Sequence, residues 1–161
     1  MSYKINMMKQ IKVFATVLIV IWFIGACQSP NQAPEESMQE STSYAPGIGD
    51  LMGKLQWHHN KLWFAGVNEN WELAEFALHE LEETLEDLED FHGDRSELQT
   101  LSMIFPPLEL VHEQVEEQNL EEFKKGYLIL TNTCNSCHDA SGFGFIEMAI
   151  PTTPAFSNQV Y

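Results

Sequence analysis

The chain has 161 residues, with 8 Lys and Arg against 24 Asp and Glu, a formal net charge of −16. That length allows one compact domain and little more, and the charge balance excludes a nucleic-acid binder, which needs a basic footprint. With 44% apolar residues the chain can build a core, which excludes wholesale disorder.

The two ends of the chain differ in charge. No acidic residue occurs in the first thirty positions, whereas Lys4, Lys9 and Lys12 sit near the start. They precede the uncharged apolar run Val13–Ile24, VFATVLIVIWFI. As a helix that run would rise only ~18 Å, short of the ~30 Å hydrocarbon core of a bilayer. Residues 1–26 are therefore expected to be an export signal rather than a permanent membrane helix. The run closes in Ile24-Gly25-Ala26-Cys27, which resembles the lipobox of bacterial lipoproteins. The resemblance implies that Cys27 is lipidated, becomes the first residue of the mature chain and anchors it to a membrane outside the cytoplasm. Gln28, rather than Asp, follows the cysteine and by the same resemblance implies the outer membrane. The alternative is an ordinary export signal that ends by accident in cysteine. Residues 27–46 are rich in Ser, Pro and Gln and too polar to repay the entropy of ordering, so they read as a flexible tether.

If lipid claims Cys27, two cysteines remain. They stand in Cys134-Asn135-Ser136-Cys137-His138, the C-x-x-C-H pattern of covalent c-type haem attachment. Two thiols at that spacing add to the two vinyl groups of one haem, and the adjacent imidazole reaches the iron as proximal ligand. A thioredoxin-like dithiol would need a βαβ setting, and no strand pattern precedes the motif. A zinc site would need four ligands, and there is no second cysteine pair. One covalent haem c is the expected cofactor, with Cys134 and Cys137 as its thioether residues and His138 as the proximal iron ligand.

From Gly47 onward the apolar residues follow a helical period. Leu51, Leu55, His58 and Leu62 form a first seam. Trp71, Ala74, Leu78, Leu81, Leu85, Leu88 and His92 form a second, with Asn70 as its N-cap. A third passes through Leu98, Leu101, Phe105, Leu108, His112 and Val115, and Pro106-Pro107 either kink that helix or open it. A fourth runs through Leu120, Phe123, Tyr127, Leu130, Cys134 and Cys137, behind Asn119 and with Glu121 and Glu122 at its positive end. Breaks are expected at Gly66–Asn70, His92–Arg95 and Gln118–Asn119. Short connections make neighbouring helices antiparallel. The predicted fold is all-α, an antiparallel up-down-up-down four-helix bundle over residues 47–141, with the haem at the end of the C-terminal helix. Residues 142–161 are expected to pack on it as an irregular tail.

A C-x-x-C-H motif ending the fourth helix resembles the class II cytochromes c, the cytochrome c-prime and c556 group. The likeness covers most of residues 47–140 in architecture and motif position. The segments QWHHNKLWFAG, NWELA, CNSCH, GFGFI and FSNQ are similar to a subfamily of bacterial cytochromes of this type. The chain departs from the group in carrying Asp139-Ala140-Ser141-Gly142 after the haem histidine, without the usual basic neighbour. The resemblance implies a one-electron carrier, with dimerisation as a property common in the group.

In such a bundle the first turns of helix 1 face the end of helix 4. Met52 lies at that level, and the low-spin members of the resembled group use a methionine from this region as sixth iron ligand. His59, two turns deeper on the same face, is the second candidate, since a neutral imidazole binds iron well. An open sixth position is the alternative, and it would suit a protein that binds nitric oxide or carbon monoxide. Met148 in the tail could also swing onto the iron. His58 and His112 read as structural, His79 as solvated, and His92 as a cap on the C-terminus of its helix. Trp57, Trp63, Phe64, Trp71 and Phe76 read as core. No catalytic acid–base constellation stands out, so an enzyme is not expected. Ten acidic residues fall between Glu69 and Asp90 without a Lys or Arg. Such a face either keeps the chain soluble or steers a basic redox partner. A further alternative is a structural or assembly lipoprotein in which haem only stabilises the bundle.

Overall fold

The computed structural model describes residues 44–161. The expected export signal (1–26), the lipidated Cys27 and all but the last three residues of the expected tether lie outside the described residues. Among the described residues four α-helices carry the fold: α1 (Ile48–Val67), α2 (Trp71–His92), α3 (Phe105–Glu116) and α4 (Leu120–Ala140). Two 3₁₀ turns, Ser96–Leu98 and Leu101–Ile104, lie between α2 and α3. No strand occurs among the described residues, and none of their helices is long and apolar enough to cross a membrane.

Local chemistry sets the helix ends. α1 stops in a Schellman motif, in which Glu69 N–H donates to the Gly66 carbonyl (3.0 Å) and Asn70 N–H to the Ala65 carbonyl (2.9 Å). α3 stops in the same way, with Gln118 N–H on Val115 (3.0 Å) and Asn119 N–H on Gln114 (3.0 Å). In both cases the next residue is already the N-cap of the following helix. The Asn70 side chain accepts from Leu73 N–H, and the Asn119 side chain accepts from Glu122 N–H, each at 3.3 Å. One asparagine thus closes one helix and opens the next, which is why these two connections are so short. The motif requires a left-handed residue, and here Glu69 (φ 57°) and Gln118 (φ 54°) adopt it in place of glycine. Exchanging either for glycine is expected to raise stability by about 1 kcal/mol in urea melts, because glycine bears no Cβ penalty in that region.

The connection between α2 and α3 is longer than the seam predicts. Pro106 and Pro107 carry no N–H, so no α-helical bond reaches back to the preceding turn, and α3 starts at Phe105 with proline in its first turn. Leu98, Leu101 and Ile104 are nevertheless buried. Their spacing of three suits 3₁₀ turns, which place every third residue on one side.

α1 packs chiefly on α2 and α3 on α4, while α2 also touches α3 and α1 touches α4. The buried core includes Leu62, Ala74, Leu78, Leu88, Val111, Phe123 and Tyr127. Phe123 lies against Gly66, where an added Cβ would fall on its ring, so α1 and α4 approach closely at that point.

His112 ties α3 to the acidic face of α2. Its Nε2 lies 3.0 Å from Glu75 and its Nδ1 3.4 Å from Glu82, with Glu116 of its own helix at 4.0 Å. Partial burial would lower its pKa, but the three carboxylates outweigh that and raise it. A raised folded-state pKa stabilises the fold below the ordinary value of ~6.5, and that stabilisation is lost as pH rises through the folded value. His112→Gln should therefore cost up to about 1 kcal/mol in urea unfolding near pH 5.5 and almost nothing near pH 9. His79 is exposed and pairs with Glu83 at 3.2 Å. Nε2 of His58 lies 3.6 Å from Glu80, and its buried Nδ1 has no partner, so this histidine is less fully satisfied than a core role suggests. His92 bonds the Pro46 carbonyl at 2.7 Å and ties the chain before α1 to the end of α2.

Candidate functional site

A cavity of about 460 Å³ opens between the first three turns of α1, the middle of α2, the 3₁₀ segment, the second half of α4 and the tail. Its walls are mostly apolar: Ile48 and Leu55 from α1, Leu81 and Leu85 from α2, Leu98, Ile104 and Leu108 beyond them, and Leu130 from α4. Met52, His59, Cys134, Cys137, His138 and Met148 all line this one cavity. His58, His79, His92 and His112 do not. Arg95 and Glu97 supply its charged side, joined at 2.6 Å, and the Arg95 hydrogen bond holds the Glu97 carboxyl down at about 2.

Cys134 and Cys137 are one helical turn apart on α4 and both are free. Burial, and then the neighbouring Cys137, push the Cys134 thiol up to about 11. Cys137 Sγ lies 3.4 Å from the Thr100 hydroxyl of the 3₁₀ segment. The His138 ring is oriented from the tail, its Nδ1 lying 2.7 Å from the Ile146 carbonyl. A carbonyl only accepts, so Nδ1 carries the proton and Nε2 keeps its lone pair.

His59 is engaged at both nitrogens. Nδ1 meets the Tyr127 hydroxyl at 2.8 Å, and Nε2 meets the Thr131 hydroxyl at 3.0 Å. The Tyr127 ring stacks on it with centroids 4.4 Å apart. Burial lowers its pKa to about 4, so the imidazole is neutral at ordinary pH. Met52 is partly buried on the same wall, one helical turn before Leu55.

The tail is strapped to the helices by two asparagines. Asn60 donates to the Thr153 carbonyl (3.1 Å) and accepts from Ala155 N–H (2.8 Å). Asn135 makes the same two-way pairing with Met148, at 2.9 and 2.7 Å. Phe156 meets Trp57 edge-on at 6.2 Å, and Tyr161 packs on Phe64 at 5.7 Å. Sequence reasoning missed Asn135, the Ile146 carbonyl and Arg95. Only Asn135 had a local signal, its place inside the cysteine motif.

No protein-family model, curated protein or solved structure matches the chain.

Proposed function

We propose that this chain is a c-type cytochrome that carries one electron at a time on a single covalently attached haem. The observation that carries the reading is the apolar cavity whose α4 wall presents Cys134, Cys137 and His138 together, with the His138 ring held from behind at Nδ1. The residues fit the group. The cavity lies in the ~300–1,000 Å³ range of ligand sites, and its lining suits a flat, largely apolar macrocycle. Among the described residues no three or more His, Cys, Asp or Glu are grouped to hold a metal ion. Haem brings most of its iron's donors with it, so His138 and one residue opposite would suffice to hold the metal.

Bound haem would supply a ferric–ferrous couple. The chain's part is to anchor and orient. Cys134 and Cys137 would hold the ring by thioethers, and His138 would present Nε2 to the iron. Leu81, Leu85, Leu98 and Leu130 would exclude water. Arg95, the one Lys or Arg on the cavity wall among the described residues, would suit the haem carboxylates. On the far wall we assign Met52 as the sixth ligand and not His59, because His59 Nε2 would first have to leave Thr131. His59 then serves to brace α1 on α4 beside the site. Three-residue connections between α1 and α2 and between α3 and α4 favour an up-down-up-down bundle. Such a bundle would put the end of α4 beside the start of α1, and the haem would lie there. Lipidation at Cys27 would anchor the protein outside the cytoplasm, and the acidic face of α2 suits a basic redox partner.

Met52→Ala tests the assignment. The substitution is expected to turn a low-spin spectrum high-spin and to lower the midpoint potential, since methionine beside histidine raises it. An unchanged spectrum and potential would remove Met52 from the iron. A native spectrum that already shifts with carbon monoxide would favour the gas-binding alternative.

A further inference from the structure

We propose that Asn135, the first residue between the paired cysteines, is a positioning residue that fixes the tautomer and orientation of His138 through the tail. Its side-chain amide grips the Met148 peptide from both sides: Nδ2 donates to the Met148 carbonyl, and Oδ1 accepts from the Met148 N–H. Two residues earlier in that same strap, the Ile146 carbonyl accepts a hydrogen bond from His138 Nδ1–H. The path between helix and strap is equally constrained. α4 ends in a third Schellman motif, with Gly142 N–H on Asp139 (3.2 Å) and Phe143 N–H on His138 (2.7 Å). Gly142 takes the left-handed conformation at φ 81°, and an added Cβ at Gly144 would fall on the Asp139 carboxylate. Ile146 N–H then closes a turn on the Phe143 carbonyl at 2.8 Å.

Burial holds the stretch around Ile146 only weakly. Phe145 is 81% and Ile146 46% exposed, and beyond them Met148 and Ile150 are only partly buried, so polar contacts do much to fix where the Ile146 carbonyl stands. Asn135 is the side chain that ties the strap just beyond that carbonyl back to α4. The chain reverses after His138 and returns to Asn135, one turn earlier on the same helix. The outer partner of a ligating imidazole sets its basicity and ring angle. The consequence for the iron rests on the haem reading; the consequence for the imidazole proton does not.

The test compares Asn135→Ala with Asn60→Ala in the full chain. Asn60→Ala cuts the other two-way clamp, at Thr153 and Ala155, and leaves the Met148 clamp intact. Hydrogen exchange is followed by NMR at the Met148 amide and at His138 Nδ1–H, sites that exist with or without haem. Asn135→Ala should speed both by about tenfold or more, the scale expected for losing two hydrogen bonds, while Asn60→Ala should change them by less than about twofold. Asn135→Asp keeps the acceptor for Met148 N–H, should fall between, and serves if the alanine variant does not fold. In haem-loaded protein the midpoint potential should move with Asn135→Ala and not with Asn60→Ala. A His138 Nδ1–H as protected in the Asn135 variants as in the parent would overturn the proposal. So would an equal loosening by Asn60→Ala, which would make the tail a general brace.

Discussion

Replacing Cys134 and Cys137 together by serine should take covalently held haem from about one per chain to none. Denaturing electrophoresis with haem staining reads this directly, provided the chain is produced in a host that exports it and attaches haem. Both sulfurs lie one turn apart on the same stretch of α4 and border the same cavity, and neither is tied up in a disulfide. Serine keeps the size and the helix but cannot form a thioether. Either single variant should keep one bond and retain stainable haem at reduced yield. His138→Ala should keep both bonds and lose the axial ligand, so haem stays attached while the spectrum changes. Stainable haem that persists in the double serine variant would place attachment elsewhere in the chain.

A comparable loss, this time of stability, is expected at Phe123. Its side chain is fully buried, and three aromatic rings from α1, α2 and α4 surround it: Trp63 at 6.3 Å, Trp71 edge-on at 6.1 Å and Tyr127 at 6.0 Å. Below it Gly66 leaves room for the ring and for nothing else. Phe123→Ala removes apolar contact and leaves a hole walled by large, stiff rings that cannot close over it. The expected cost is about 3–5 kcal/mol, a large part of the ~5–15 kcal/mol total of an ordinary domain. Urea unfolding should show a lower midpoint with an unchanged slope. Phe123 is not on the cavity wall, so the folded fraction should still take up haem normally. A loss below about 1 kcal/mol would mean that the three helices can collapse into the space, contrary to the packing described.

The helices were legible because their signals are local. Asn70 and Asn119 announce helix starts within four residues, and the seam Ala74–Leu78–Leu81–Leu85–Leu88 repeats over about four turns. The start of α3 stayed ambiguous because a proline pair either bends a helix or begins one. The 3₁₀ packing of Leu98 and Leu101 decides between them, and it depends on tertiary contact. The candidate site was legible for a similar reason: its thiols and imidazole are contiguous in sequence. What supports them is not. His59 meets Thr131 across 72 positions, and Ser141 reaches the Glu97 carbonyl across 44; no periodicity records such pairings. The Ile146 carbonyl is a backbone atom and leaves no trace in residue identity. The sequence ranks Met52 and His59 by helix level alone, and the hydrogen bonds that engage both His59 nitrogens come from residues far along the chain and leave no local signal.

Whether the cavity holds one haem bonded to α4 can be read from the intact mass of the matured chain together with its reduced absorption spectrum. The expected result is a mass higher by one haem and a sharp low-spin spectrum that carbon monoxide does not shift. A mass without haem, with Cys134 and Cys137 both open to alkylation, would contradict it.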